Sequence, residues 1–439
     1  MSTTRNIRQK ILSQPSLQKP KRIAKRILRI PHGPLTQESV AEARSYIRHY
    51  WQKLLVEHTD DEGTVIGLPF PYIVPSKGEG EFTFGEQYYW DSFFTVLGLR
   101  SAEDQSLVEG MLENLLYLYR RFGIIPNASR MYLVGRSQPP MLTSFIFFIY
   151  DTFDKSEDWL RERINIAHNE YESVWVSKRH PTWHNVHQGL SRYYDVNVMH
   201  DMAEMESGWD MTTRFSRKCL DFLPIDLNCL LYKYETDFAR AAEILGDTES
   251  QQKWLDIADK RKAAVDKLMW SKLRGFYFDY NYQRKAQGEV WSLAAYFALW
   301  SGIASEAQAK RLVANLIKFE KRGGLSTTIR PIIDQNLFGS LRTQWAYPNG
   351  WAPLHYVAVK GLRNYGYEAE ARRIALKWIR TNNNWFLRHG EFLEKYNVIN
   401  PKRPPMEGVY PKQVGFGWTN AIFERFCIEY LDKAKKDQS

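Results

Sequence analysis

Cysteine is scarce in this chain: Cys219, Cys229 and Cys427 are the three among 439 residues. Three thiols cannot staple a chain of this length, and no CxxC pair or Cys/His spacing points to zinc, so neither disulfides nor a structural metal is expected to organise the fold. A reducing compartment is the default. Long apolar runs are also missing. The most apolar stretch, residues 141–150, falls far short of the roughly 20 residues that cross a bilayer, and the N-terminus has no continuous apolar core of a secretory signal. No membrane span is expected, and the expected location is the cytoplasm, with organellar targeting by the N-terminus left open. Acid is absent before Glu38, whereas residues 1–36 hold nine Lys or Arg. The remainder carries 51 basic and 50 acidic residues, so the net charge of +10 resides in a terminal arm. An electroneutral body argues against nucleic acid as a partner, because phosphate binding needs cations on the folded surface. Residues 1–35 therefore read as a flexible basic arm and 36–439 as one domain.

What the chain does have is aromatic side chains, 14% of it, with 15 Trp and 25 Tyr. It also has helical periodicity. Leu107, Val108, Met111, Leu112, Leu115, Leu116, Tyr119 and Phe122 follow the 3,4 spacing of a buried stripe, as do Leu227, Leu230, Leu231, Tyr234, Phe238, Ala241 and Leu245. Similar patterns recur over 247–270, 287–302, 305–319, 351–363, 367–380 and 418–433, while period-2 strand runs are few. The expected fold is all-α, and helical hairpins spread evenly along the chain suit a closed ring of paired helices better than two bundles.

The chemistry lies in the loops between these helices. Residues 78–94 read GEGEFTFGEQYYWDSFF, 125–140 IPNASRMYLVGRSQPP, 206–215 ESGWDMTTRF, 344–353 QWAYPNGWAP and 415–421 GFGWTNA. Each sets carboxylate, amide or guanidinium groups among Trp, Tyr and Gly. Aromatic faces suit the C–H faces of a pyranose, and planar polar groups suit its adjacent hydroxyls. One such motif alone can be a helix cap; five at intervals indicate a small, neutral or nearly neutral sugar as the ligand. His180, His184, His187 and His200 do not have the spacing of a metal pair and read as ordinary loop histidines. No glycine-rich phosphate loop follows a strand pattern. No metal or other cofactor is expected.

These loops resemble the trehalase family of glycoside hydrolases. The resemblance rests on Phe84, Glu86 and Tyr88 to Ser92 for one signature, on Gln344, Trp345 and Pro348 to Pro353 for another, and on Asn127 with Arg136 to Pro140, ESGWD at 206–210, EKY at 394–396 and GFGWTN at 415–420. It extends over about residues 70–430. It implies an (α/α)6 barrel and an inverting α-glycosidase, most simply one that cleaves trehalose. In an inverting enzyme one carboxylic acid protonates the departing oxygen while a second carboxylate activates water on the opposite ring face. The matching position for the acid is Asp210, with a cap on a helix over 211–215 as the plainer alternative. Asp91 matches a sugar-binding Asp. Phe84, Tyr89, Trp90, Asn127, Arg136, Gln138, Trp209, Gln344, Trp345 and Trp351 complete the implied sugar contacts.

The base is the departure. Counting back from Gly415, the position of the family pattern's glutamate falls on Val409, which cannot accept a proton. Glu407, two residues upstream, is the preferred substitute, and Glu394 of EKY is the alternative, discounted as a salt-bridged residue at a helix end. The leaving-group side departs too: Thr83 and Ala346 replace signature residues, and the family's RPES segment is missing from 192–210. A hydrolase of another small α-glucoside or α-mannoside, such as glucosylglycerate or mannosylglycerate, and a non-catalytic sugar-binding homologue are therefore alternatives. The sequence leaves the oligomeric state open.

Overall fold

The computed structural model describes residues 35–77, 84–176, 180–330, 343–408, 410 and 412–432. The arm of residues 1–34, Thr83 and Val409 lie outside the described residues. Thirteen α-helices are found among the described residues: α1 (Gln37–Leu54), α2 (Tyr89–Val96), α3 (Gln105–Phe122), α4 (Leu142–Phe153), α5 (Glu157–Glu170), α6 (His200–Glu206), α7 (Ile225–Ile244), α8 (Thr248–Leu268), α9 (Phe297–Ser301), α10 (Glu306–Asn315), α11 (Ala352–Asn364), α12 (Glu368–His389) and α13 (Gly417–Cys427). Helices α2, α4, α7, α9, α11 and α13 touch in that order, and α13 returns to α2, closing an inner ring. Helices α1, α3, α5, α8, α10 and α12 alternate with them in the chain and lie outside. This is the (α/α)6 barrel that the helical hairpins and the resemblance implied.

The two rings differ in sequence because they differ in what surrounds them. An inner helix has neighbours on all sides, so all eight residues of α2 are buried and the apolar run of α4 packs into the core rather than into a membrane. Each fully buried Phe, Leu or Ile contributes roughly 1.5–3 kcal/mol. Outer helices bury one stripe, as α8 does through Trp254, Ala258, Arg261, Val265 and Leu268. Among the described residues no helix is long and apolar enough to cross a membrane.

Helix starts separate the rings further. Thr36, Ser156, Asp247 and Ser305 cap α1, α5, α8 and α10 with their own side chains. The six inner helices begin after Tyr88, Met141, Pro224, Tyr296, Trp351 and Phe416, and none of these provides a side-chain cap. Distant side chains serve instead. Gln138 Oε1 accepts from Trp90 N, Tyr234 Oη from Leu142 N, and Asp279 Oδ1 from Ile225 N. Because inner and outer helices alternate, all six inner N-termini meet at one end of the barrel, and the motif loops lead into them.

The expectation of helix over 287–302 is met only in part. Residues 286–287 pair with Tyr280–Asn281 as a short strand, and helical turns begin at Leu293. Strands here are two or three residues long, too short for any alternation to register in sequence.

Candidate active site

One strand pair brings the two C-terminal motifs together. Residues Asn349–Trp351 run antiparallel to Lys395–Asn397, with Trp351 opposite Lys395. Glu394, just before that strand, is held through its backbone: its N–H donates to Gln413 O (3.2 Å), and its carbonyl accepts from Trp418 Nε1 (3.2 Å) and Thr419 Oγ1 (3.1 Å). Its buried carboxylate accepts from Tyr410 Oη at Oε1 and from Lys395 Nζ at Oε2, each at 2.6 Å. Lys395 Nζ also donates to Gln344 Oε1 (2.9 Å), and Gln344 Nε2 donates to the backbone carbonyl of Asp210 (2.7 Å). Asp210 and Glu394 are thus linked by a continuous chain of polar contacts between two loops remote in sequence.

Asp210 lies in a turn after α6; no helix follows at 211–215, so the capping role weighed from sequence is not what the structure shows. Desolvation pushes its carboxyl up to about 7; its own backbone N–H opposes this, Glu394 adds to it, and Lys395 and Arg136 oppose it. Asp91, in the first turn of α2, is raised well above the usual carboxylate range by desolvation and by Glu394, with Asp210 adding, while a hydrogen bond from Gln138 works the other way. Tyr88 also faces Asp91 and Asp210. Three carboxyl groups, Asp91, Asp210 and Glu394, therefore share one desolvated space. Such a site favours one neutral acid beside an ionised carboxylate.

Beneath them lies a tryptophan floor. Trp345 stacks on Trp351 with centroids 3.7 Å apart and planes within 2°. Trp90 and Trp209 lean on Trp345 at 5.7 and 5.4 Å, and Trp418 meets Trp90 and Trp351 edge-on. All five are at most 4% exposed, so they stack on one another, whereas the sequence suggested faces free for sugar. Gly208, at φ +68°, is where the chain passes over Trp90; a Cβ there would come within 2.7 Å of the indole. At the rim, Phe84 meets Tyr88, Tyr410 and Phe416 edge-on.

The remaining expected site residues divide. Arg136 is buried, its Nε 3.0 Å from Asp195 Oδ2, and its Nη1 has no hydrogen-bond partner. Gln138 and Asn127 lie beside it, with Asn127 Nδ2 donating to the carbonyls of Ser137 and Met205. Tyr89 is not brought into this group: its hydroxyl is engaged by Glu170, Tyr234 and Leu142 N behind the barrel wall. Glu407 is exposed. It lines, with Leu393, Glu394, Lys395, Pro405, Lys412 and Gln413, a cavity of about 10 Å³, room for about one water.

Sequence reasoning missed Lys395, Tyr410 and Trp418 as site residues, although EKY and GFGWTN contain or flank them. It also missed a supporting layer. Glu206 accepts from Ser137 N, Tyr194 N and His184, tying the acid loop to two others. Arg214 lies 4.4 Å over the Trp209 ring and forks onto Asp226 and Asp279. His180 stacks on Trp183, His187 on Tyr280 and Tyr282, and His200 accepts from Leu220 N. Among the described residues no group of three or more His, Cys, Asp or Glu is arranged to hold a metal ion.

Comparison with known proteins agrees with this architecture. A family model described as Trehalase matches residues 7–206 and 182–431. A periplasmic trehalase of Xanthomonas campestris pv. campestris is 32% identical over 425 residues, covering 86% of this chain and 72% of that protein. A cytosolic neutral trehalase of Neurospora crassa is 32% identical over 450 residues, covering 84% of this chain; the chain spans 59% of that protein's length. Among solved structures, neutral trehalase Nth1 from Saccharomyces cerevisiae superposes with a TM-score of 0.72 at 29% identity, over 84% of this chain and 75% of that one. A GH63 mannosylglycerate hydrolase from Thermus thermophilus shares the fold, with a TM-score of 0.65 at 17% identity over 88% of this chain and 99% of that one. Relatives thus include a periplasmic and a cytosolic protein.

Proposed function

Because the chain belongs to the trehalase family of glycoside hydrolases, we propose that it is an inverting α-glycosidase that hydrolyses trehalose to glucose, with Asp210 as general acid and Glu394 as general base. The observation that carries this is the pair itself: a carboxyl held near 7 by desolvation, facing a carboxylate whose two oxygens are held by Tyr410 and Lys395. Asp210 donates its proton to the departing oxygen. Glu394 takes one from the attacking water, and the two carboxyls exchange protonation states in each turnover. Asp91, with Arg136, Gln138 and Asn127, would hold sugar hydroxyls. Burial of Glu394 against exposure of Glu407 favours the former as base. With a carboxylate so placed, Val409 ceases to argue for a non-catalytic protein. Its three cysteines are free and buried, which supports placement in the cytoplasm.

A second reading, hydrolysis of another small α-glucoside or α-mannoside such as glucosylglycerate or mannosylglycerate, is favoured by the segment next to Arg136 and Asp195. It exposes Val196, Val198 and Met199, a poor lining for a second glucose. Incubation of the purified protein with trehalose, glucosylglycerate, mannosylglycerate and other α-glucosides, with the product anomer followed by NMR, tests both. Trehalose cleaved fastest, releasing β-glucose from one half, is the expected result. Preference for a glycerate glycoside selects the second reading, and a retained anomer rejects inversion.

A further inference from the structure

Lys395 is an unusual occupant for the floor of a sugar site. It is 3% exposed, with Nζ 4.8 Å over the Trp351 ring and 5.3 Å over Tyr410. Burying an ammonium costs several kcal/mol unless it is paired and hydrogen-bonded. Here it is both, through Glu394 Oε2 and Gln344 Oε1. Through Gln344 it reaches the backbone carbonyl of Asp210. We infer that Lys395 is a positioning residue of the reaction: it offsets the charge of Glu394 within the group of three carboxyls and, through Gln344, sets the distance between base and acid. This rests on Glu394 being the base.

The geometry gives Lys395 two separable effects. One is placement. An inverting pair must keep room for a water between the carboxyls, and the hydrogen-bonded chain from the Asp210 backbone carbonyl through Gln344 and Lys395 to Glu394 ties the two residues together. The other is charge. The groups facing the pair come from several elements: Tyr88 and Asp91 at the start of α2, Arg136 before α4, Glu204 on α6 and Tyr410 before α13, with Glu407 and Lys412 across the small cavity. Three of these are carboxylic acids, two are tyrosines and two are cations, and among the described hydrogen bonds Lys395 is the cation in contact with Glu394. Lys395 also opposes the rise at Asp210. Its loss should therefore leave Asp210 protonated to a higher pH.

The test measures kcat and KM against pH on the full chain, for Lys395→Met, Lys395→Arg and Glu394→Gln, with the α-glycoside turned over fastest by the unaltered enzyme. Lys395→Met is expected to lower kcat about 10²-fold with KM little changed, and to move the alkaline limb of kcat/KM upward. Lys395→Arg keeps the cation but displaces it, so kcat falls while the limb stays. Ethylammonium added to Lys395→Ala should restore part of kcat. If Lys395→Met and Lys395→Arg keep the original kcat and limb while Glu394→Gln loses turnover, the role of Lys395 is overturned and the base assignment stands. Undiminished turnover in Glu394→Gln overturns the base and Lys395 with it. Should Lys395→Met fail to fold, Lys395→Arg and the ammonium rescue decide the matter.

Discussion

Two clusters of buried charge adjoin Trp209, and they hold their carboxylates by different hydrogen-bonding arrangements. On one side Arg214 places four N–H···O contacts of 2.6–3.1 Å onto Asp226 and Asp279, and Asp279 also accepts from Ile225 N. The fork geometry of a guanidinium matches both carboxylates and fills their lone pairs, although one cation serves two acids and desolvation still raises the Asp279 carboxyl. On the other side Lys395 contacts Glu394 and no contact joins it to the carboxyls of Asp91 and Asp210 among the described hydrogen bonds, and Asp91 and Asp210 are driven towards their neutral forms. A cluster whose carboxylate oxygens are closed by a guanidinium fork holds loops together and has few lone pairs left for chemistry. One whose carboxyls are buried without such a fork is suited to moving protons. Proximity in the fold therefore does not distinguish the two sets of carboxylates; how completely their oxygens are already hydrogen-bonded does.

That contrast can be broken by substitution. Asp210→Asn and Glu394→Gln should each lower kcat by about 10²- to 10⁴-fold with sugar binding retained by calorimetry, and full activity in either variant removes it from the mechanism. Arg214→Met should cost the fold about 3–5 kcal/mol by stranding two buried carboxylates, measured by urea unfolding. Adding Asp226→Asn and Asp279→Asn should recover part of that loss. If Arg214→Met instead leaves stability intact and only lowers kcat, the cluster is part of the reacting machinery.

The same contrast has a pH signature. Asp210 has a folded value, about 7, above its ordinary 3.8, so between those values the native state binds the extra proton and this group's contribution to stability falls as pH rises. Asp210→Asn should then be more stable than the unaltered protein above pH 7, by about 1–2 kcal/mol after allowance for its partial exposure. The alkaline limb of kcat/KM should lie near 7, where the acid loses its proton. Equal melting temperatures for Asp210→Asn and the unaltered protein at alkaline pH would show that the carboxyl is better solvated than its surroundings imply. The smallest effect is expected at the N-terminus: removal of residues 1–34 should leave kcat/KM and melting unchanged, since the motif loops all lie beyond it.

Much of the barrel was legible because helical stripes are local. The residues of α3, α7, α8 and α12 carry their 3.6 period in the chain itself, and four of the six outer helices advertise their starts with a capping Ser, Thr or Asp. The inner helices do not, since Gln138, Tyr234 and Asp279 cap them from a distance. Asp210 was legible for a similar reason: ESGWD is a compact motif. Tyr89 and Trp90 were harder to separate. They are adjacent in sequence, yet helix geometry turns one towards Glu170 and the other towards the tryptophan floor.

The proposed base shows most clearly where local information ends. Glu394 carries the ion pair that sequence reasoning attributed to a surface helix end, but it precedes a three-residue strand paired with 349–351 and is buried under Tyr410 and Trp418. Glu407 has the better place in the sequence pattern and the more exposed place in space. By itself the sequence determined the ring of helices and singled out the motif loops and Asp210, because these depend on periodicity and on short motifs. Only the tertiary structure brought Glu394 and Lys395 into one buried group with Asp210, because burial and counter-charge arise between segments some 50 to 180 residues apart.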